Sequence, residues 1–434
     1  MNVFLVRRFA VCMFLSGAIA VQAAEPSPLS INESVMNGPP LPLQEAIRRT
    51  LGANPELAVF GYDLRAQDGQ ILQAGVRPNP ELALDVEDVL GTGDHEGLRT
   101  AQTTLSLHQV LERGARDRRV DAASAGRAVL NAELAEKRLD TAAETARRFV
   151  HVLSDQAQLE VTHEALTLAG KTVEAARLRV NAARSPAAEL VRAEAAQARA
   201  DLDHQHAEHE LLTSRRQLAA LWGETEPAFG LAQGKLLVLP PLQAYEALRT
   251  RLAGNPSLTR FIAEARLRDA EIRLAEQRRI PAWQVSAGLR HYNDSGDVAG
   301  VFGLSIPLPW HNPAQGFVVE AEAKRAQVDA SRHAAEVQTL TKLFEWFQVL
   351  KQARNEAETL ERTVLPKMQE ALRQTEYAYA RGRYGYTELV AAQQEVLALK
   401  RARIQAAVNA QSTAIEIDRL TGTLPGDAAQ DVSP

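Results

Sequence analysis

Two parts of the chain alternate apolar with polar residues, which is the spacing of a β-strand. In residues 80–90, Leu82, Leu84 and Val86 alternate with acidic residues and an alanine. A period of two predicts a strand with one apolar and one polar face. Glycine- and aspartate-rich segments separate the strands of each pair, so the pattern predicts two β-hairpins. The other three predicted strands cover residues 98–111, 281–292 and 298–310.

A long helical pattern without proline follows each hairpin. Residues 115–181 contain no proline, and residues 314–365 contain none before Pro366. A helix of the first length spans about 100 Å at 1.5 Å per residue. A short polar tip ends each long helix, and a returning helix follows it. The pattern therefore predicts two long helical hairpins, about 115–222 and 314–421, with tips at 183–187 and 381–386.

The second half of the chain repeats the layout of the first. When Asn54-Pro55 is set on Asn255-Pro256, the offset is 201 residues, and farther on Leu221-Trp222-Gly223 matches Leu420-Thr421-Gly422 at an offset of 199. A match over this length predicts two copies of one supersecondary unit. The expected divisions are an N-terminal segment at 25–41, repeats at 42–223 and 241–422, a linker at 224–240 and a disordered tail at 423–434.

The N-terminus has the pattern of a cleavable signal peptide. Arg7 and Arg8 precede an apolar stretch, and small residues near Ala24 suit a signal peptidase, so residues 1–24 are expected to be removed. Cys12 is the only cysteine and lies inside this segment. No disulfide is therefore expected in the mature protein. The apolar stretch continues past Cys12, so a lipid anchor is not expected there.

Composition and charge argue against catalysis and against nucleic-acid binding. Aromatic residues make up only 5% of the chain, a low share that is typical of long helices rather than of a compact enzyme core. No phosphate loop, zinc-protease helix or other catalytic spacing occurs, so neither an enzymatic activity nor a cofactor is expected. The formal net charge is −5, and removal of the signal makes it more negative, so no nucleic-acid partner is expected.

Four motifs resemble those of the TolC-type outer-membrane efflux family, and in particular its heavy-metal branch. They are Arg77-Pro78-Asn79-Pro80-Glu81-Leu82, Val86-Glu87-Asp88, residues 109–114 (QVLERG) and residues 306–316 (IPLPWHNPAQG). The resemblance extends over nearly all of the mature chain. It implies a mainly α-helical fold with a membrane β-barrel portion, in which a homotrimer closes a 12-stranded barrel in outer-membrane lipid and its helices form a periplasmic tunnel.

The same resemblance assigns roles to the tips of the helical hairpins. In the family the periplasmic tips close the tunnel and contact an adaptor protein, and the next acidic residue sets selectivity. Here the acidic positions are Glu189 and Glu388, which three-fold symmetry would turn into rings that attract cations. Alternatively, these carboxylates only stabilise helix N-termini. The expected adaptor contacts are Arg184, Ser185, Arg381, Gly382, Arg383 and Tyr384.

Aromatic residues and histidines give further candidates. Trp283 and Trp310 fall near predicted strand ends, where an interfacial aromatic girdle would lie. A cluster of tyrosines near the second tip is expected to pack between hairpins rather than to bind a ligand; its members are Tyr377, Tyr379, Tyr384 and Tyr386. His206, His209 and Glu210 share one helical face and form a weak candidate metal site, although exposed helical faces are usually charged.

The expected function is a passive outer-membrane exit duct of a three-part efflux pump for heavy-metal cations. The periplasmic adaptor and an inner-membrane, proton-driven transporter of the RND type would be its partners. Two alternatives stay open: a duct for drugs or other small organic molecules, and a soluble periplasmic coiled-coil scaffold. The two amphipathic hairpins argue against the scaffold, which would not need them.

Overall fold

The computed structural model describes residues 38–425, and each half of the chain has the same succession of elements. The predicted signal peptide at 1–24 and the last part of the predicted disordered tail lie outside these residues. The first half contains β1 (Leu41–Pro42), α1 (Leu43–Ala53), α2 (Pro55–Ala74), β2 (Glu81–Glu87), β3 (Gln102–Leu111), α3 (Ala115–Asn181) and α4 (Ala187–Ala220). The second contains β4 (Ala232–Gln233), α5 (Tyr245–Arg251), α6 (Pro256–Gln277), β5 (Trp283–Tyr292), β6 (Val298–Ser305), α7 (Gln315–Thr359), α8 (Leu365–Ala380) and α9 (Tyr386–Leu420).

Two asparagines that the sequence offset superposes make the same pair of contacts. Asn54 Nδ2 donates to the Leu221 carbonyl at 2.7 Å, and Asn255 Nδ2 donates to the Leu420 carbonyl at 2.8 Å. Each Oδ1 also accepts a backbone N–H in the first turn of the following helix, at 3.0 and 2.7 Å respectively. One side chain thus caps a helix start and satisfies a carbonyl at the end of the returning helix.

The two long helices differ in regularity. Helix α3 runs unbroken for 67 residues. Between α7 and α8, however, the chain makes a π-helical turn at Leu360–Val364. Pro366 lies two residues after this turn; its ring lacks an N–H and would clash with the carbonyl four residues earlier, which is within the turn. The extra residue of a π-turn accommodates this clash without ending the rod.

The predicted hairpins combine into one antiparallel sheet of four strands, in the order β2-β3-β5-β6. Leu105 of β3 lies between Leu84 and Leu289 in the register, so the two repeats join through β3 and β5. Strands β2 and β6 form the edges. All four strands are shorter than predicted, and β6 ends at Ser305 rather than near residue 310 because Pro307 and Pro309 cannot donate to a ladder.

The segment predicted as a linker is part of the core. Strand β4 pairs in parallel with β1, and Phe229 is packed with Trp222, Phe149 and Leu218 in a buried cluster. Arg215 is buried beside Phe229 and donates to its carbonyl. The sequence analysis missed this packing because the segment has neither helical nor strand periodicity.

Two further buried clusters hold the helices together. One joins α3 to α9 through Val150, Ala146, Ile404 and Val408. The other joins α5, α7 and α9. No helix within residues 38–425 combines the length and apolar character needed to cross a membrane.

Candidate functional site: the sheet and the hairpin tips

The sheet exposes its apolar side chains. Leu82 and Leu84 are exposed, and Phe302 on the edge strand β6 has 84% of its surface accessible. Since side chains alternate between faces along each strand, the register places these residues on one face. The exposed apolar set comprises Leu82, Leu84, Val86, Leu105, Leu107, Leu289, Val298, Phe302 and Leu304.

The opposite face is polar, and its groups bond to one another. Thr104 and Ser106 are buried. Arg290 donates to Thr104 Oγ1 at 2.8 Å, to Gln102 Oε1 at 3.1 Å and to a Glu87 carboxylate oxygen at 2.8 Å. A sheet of a water-soluble protein buries its apolar face and leaves the polar one in solvent. This sheet has the reverse arrangement.

The two candidate interfacial tryptophans occupy different settings. Trp283 is the first residue of β5, and the guanidinium of Arg113 lies 4.8 Å from the centroid of its indole ring. Trp310 lies beyond β6 and has 89% of its surface accessible. Both lie at the end of the sheet that joins the helical rods.

The tips of the two helical hairpins are joined by a hydrogen-bonded contact, here called the tip contact, formed by Tyr379, Glu189 and Arg179. The Tyr379 hydroxyl donates to Glu189 Oε1 at 2.7 Å. Arg179 Nη1 donates to the Tyr379 carbonyl at 2.9 Å, and its guanidinium lies 4.4 Å from the phenol centroid. Burial, with a further contribution from the Glu189 carboxylate, raises the pKa of Tyr379 above its usual value.

The two acidic residues after the tips have different surroundings. The Glu189 side chain is only 12% exposed and is engaged in the tip contact. Glu388 is exposed, and its carboxylate accepts the Gly385 N–H at 3.1 Å, which stabilises the start of α9. In the single chain, therefore, Glu388 stabilises a helix N-terminus, whereas Glu189 bonds one helical hairpin to the other. A sequence cannot distinguish the two, because Tyr379 and Glu189 are 190 positions apart.

Most of the predicted adaptor-contact residues are exposed at the tips: Arg184, Arg381, Gly382, Arg383 and Tyr384. Ser185 is half-buried and interacts with Arg179 Nε at 3.0 Å. Gly382 has a φ of +74°, a conformation that glycine adopts without strain. Of the tyrosine cluster, Tyr379 is buried between the hairpins, whereas Tyr377 is 55% exposed. Arg179 was not singled out in the sequence, where it is one basic residue among many.

The histidine candidates do not form a preformed site. His206, His209 and Glu210 are all exposed on α4. Within residues 38–425, no group of three or more histidine, aspartate or glutamate side chains is placed to hold a metal ion.

Comparisons with known proteins agree with this architecture. Residues 46–224 match the family model of outer membrane efflux proteins. The cobalt-zinc-cadmium resistance protein CzcC of Cupriavidus metallidurans is 29% identical over 383 residues, covering 88% of this chain and 90% of that protein. The nickel-cobalt-cadmium resistance protein NccC of Alcaligenes xylosoxydans xylosoxydans is 24% identical over 327 residues, covering 74% of this chain and 71% of that protein.

Solved structures show the same fold. The outer membrane protein VceC of Vibrio cholerae superposes with a TM-score of 0.69 at 20% identity, covering 88% of this chain and 96% of that one. CusC superposes with a TM-score of 0.71 at 15% identity, covering 88% and 92%. The motifs, the family-model match over residues 46–224 and the shared fold thus all agree with the outer membrane efflux protein family, and the two relatives in sequence are heavy-metal resistance proteins.

Proposed function

We propose that this protein is the exit duct of a three-part pump that exports heavy-metal cations such as cobalt, zinc or cadmium across the outer membrane. The observation that carries the proposal is that the sheet exposes its apolar face, which includes Phe302, Leu82 and Leu84. On the opposite, polar face Arg290 is hydrogen-bonded. Such a sheet is stable where lipid covers its apolar face and water its polar face.

The sheet also explains why the duct would be a homotrimer. Strands β2 and β6 are edges in the single chain, and hydrocarbon tolerates no unpaired backbone groups. Three copies of four strands give a closed 12-stranded barrel when β2 of one copy pairs with β6 of the next. Strands of 7 to 10 residues span about 23 to 33 Å, which suits an apolar band of about 25 Å.

The helical rods supply the periplasmic part of the duct. At 67 residues, α3 spans about 100 Å. The tips then lie far from the membrane, where exposed Arg184, Arg381 and Arg383 are available to the periplasmic adaptor. An inner-membrane, proton-driven RND transporter would supply the energy. The metal cargo is supported by similarity to two metal-resistance proteins.

Growth inhibition of a deletion strain tests the cargo. The strain, with and without the complementing gene, is exposed to cobalt, zinc, cadmium, nickel, copper, silver and a panel of hydrophobic drugs. Sensitivity to a few metals that the gene reverses supports the proposal. Sensitivity to drugs alone would keep the duct and overturn the metal cargo.

The membrane position has its own test. Phe302→Lys places a charge on the proposed lipid face and should destabilise the barrel by about 2–4 kcal/mol if it lies near the bilayer centre. Ser305→Lys places the same charge on the polar face of the same strand and serves as the matched control. We expect less Phe302→Lys protein than Ser305→Lys protein in the outer membrane. Equal amounts of both, or wild-type protein extracted by carbonate, would favour a soluble scaffold.

A further inference from the structure

The two ends of the four-stranded sheet carry opposite charge. The turns of the two hairpins, residues 88–101 and 293–297, form one end, which contains five acidic residues and one arginine. The other end, where the strands join the helices, is called the rod end here and contains seven arginines and two acidic residues. It comprises residues 75–80, 112–119, 278–282 and 306–319. The rod end is therefore strongly basic, whereas the turns are acidic.

Two arginines of the rod end lie on aromatic rings. The guanidinium of Arg278 lies 3.7 Å from the centroid of the Phe317 ring, and that of Arg113 lies 4.8 Å from the centroid of the Trp283 indole. Both arginines are exposed. A guanidinium over an aromatic face is attracted to the ring, while its N–H donors remain available at the edge of its plane. Each ring therefore positions a cation that can still bond an anion.

The strand register places the pair of Arg113 and Trp283 at the border of the apolar face. Leu105 pairs with Leu289 on that face, and farther along β3 Leu111 pairs with Trp283. Because side chains alternate between the faces, the even steps from Leu105 and Leu289 keep Leu111 and Trp283 on the apolar face. Arg113 follows two residues after Leu111. Toward the helices, the apolar face thus ends in a tryptophan that a cation covers.

The acidic residues of the rod end do not neutralise its arginines within the described part of the chain. Both already pair with neighbouring arginines, Glu112 with Arg119 and Asp117 with Arg116. Four further arginines of the rod end are exposed, and in residues 38–425 none of them forms an ion pair: Arg77, Arg113, Arg278 and Arg279. The rod end therefore presents unpaired cations beside an exposed apolar face.

We propose that the rod end binds anionic phospholipid of the periplasmic leaflet, with Arg113 bonding the headgroup phosphate and Trp283 contacting the adjoining acyl chains. This inference rests on the proposed function, because it needs the sheet to lie in the outer membrane. Interfacial tryptophans lie at the edge of an apolar band, at the level of the headgroups. The guanidinium fork matches two phosphate oxygens, and basic residues next to a membrane surface attract anionic headgroups.

Binding of phosphatidylglycerol to the purified full-length protein in a neutral detergent tests the proposal. The lipid carries a fluorophore on one acyl chain, and phosphatidylcholine with the same fluorophore is the zwitterionic comparison. We expect the wild type to bind phosphatidylglycerol at least about fivefold more tightly than phosphatidylcholine. Arg113→Gln should weaken the binding of phosphatidylglycerol by about fivefold, which is the effect of one cation near an anionic headgroup. It should weaken that of phosphatidylcholine less, because the choline group already neutralises the phosphate.

Arg99→Gln is the matched control, because it removes the same charge from an exposed arginine in the turn after β2. It should bind both lipids as the wild type does. Arg113→Lys keeps the charge and should bind phosphatidylglycerol more tightly than Arg113→Gln does. If the Arg113 variants fail to assemble, the wild type still tests the proposal. Its preference for phosphatidylglycerol should fall when NaCl is raised from about 0.05 to 0.5 M, since salt screens exposed charges.

Helical content and oligomeric size are measured for each variant, so that a folding defect is separated from a lost lipid contact. The proposal is overturned if the wild type binds both lipids equally or if its preference is independent of salt. It is also overturned if Arg113→Gln binds phosphatidylglycerol as tightly as the wild type or Arg113→Lys does, or if Arg99→Gln weakens binding as much. A protein that fractionates with the outer membrane but shows no lipid preference would contradict only this inference, whereas a carbonate-extracted protein would contradict the proposed function.

Discussion

Removing one hydroxyl should loosen the tip contact. Tyr379→Phe deletes the donor that lies 2.7 Å from Glu189 and changes little else, because the ring stays buried under Arg179. A hydrogen bond to a charged acceptor contributes about 1.5–3 kcal/mol. The Glu189 side chain is only 12% exposed, and Arg179 Nε at 3.9 Å is too distant to replace the lost donor. We therefore expect a loss within this range.

Native-state hydrogen exchange measures that loss where it occurs. Since about 1.4 kcal/mol corresponds to a factor of ten, amides of residues 376–392 should exchange about 10 to 150 times faster in the variant. Amides near the Leu420 end of α9 should not change. Tyr377→Phe is the matched control, because Tyr377 lies on the same helix and is 55% exposed.

Two outcomes would refute the reasoning. One is that the tip amides exchange at equal rates in the Tyr379→Phe and Tyr377→Phe variants. The other is faster exchange along the whole chain, which would mean global destabilisation. The tip contact should also be insensitive to pH between 6 and 9. Burial raises the pKa of Tyr379 above its usual value of about 10, so its contribution is complete below pH 10 and is lost only as the pH rises further.

Three further predictions concern other positions. Glu388→Gln should lower cation selectivity in a planar bilayer recording, because three copies would lose a ring of charge. It should also destabilise the N-terminus of α9 by about 0.5–1 kcal/mol, because the Gly385 N–H loses its charged acceptor. Asp418→Asn should raise the thermal midpoint at pH 7.5, because burial raises the pKa of Asp418 to about 6 and its charge then costs up to about 3 kcal/mol. Asn255→Ala should lower the free energy of unfolding by about 2 kcal/mol, because it removes a helix cap and leaves the Leu420 carbonyl without its donor.

Each of these has a direct check. Glu395→Gln changes an exposed residue farther along α9 and should leave cation selectivity unchanged. An unchanged cation selectivity in Glu388→Gln would contradict the proposed ring of Glu388 carboxylates. Below about pH 4 the Asp418 carboxyl is protonated in both the folded and the unfolded chain, so the fold bears no cost for a buried charge. This stability is lost as the pH rises through 6, the raised pKa of Asp418. The gain from Asp418→Asn must therefore disappear at pH 4. Asn54→Ala should cost as much as Asn255→Ala, and a cost near zero for both would refute the shared capping role.

Part of the candidate site was readable from residue types and spacing. Alternation around Leu82 and Leu84 identified the sheet and its apolar face, since a strand needs only a period of two. The tip residues near Arg184 and Arg383 were placed by the ends of the helical pattern. The tip contact was not predicted, because nothing local connects Tyr379 with Glu189.

The sequence by itself determined the local periods, and these fixed which segments are rods and which are strands. It also revealed the duplication, because two halves that match at a nearly constant offset, 201 residues at first and 199 farther on, are visible without coordinates. Only the tertiary structure decided that the linker around Phe229 belongs to the core, that the repeats join through β3 and β5, and that Glu189 and Glu388 have different partners. The physical reason is range: helical and strand periods arise from neighbouring residues, whereas these contacts join groups far apart in the chain and form only when the helices pack.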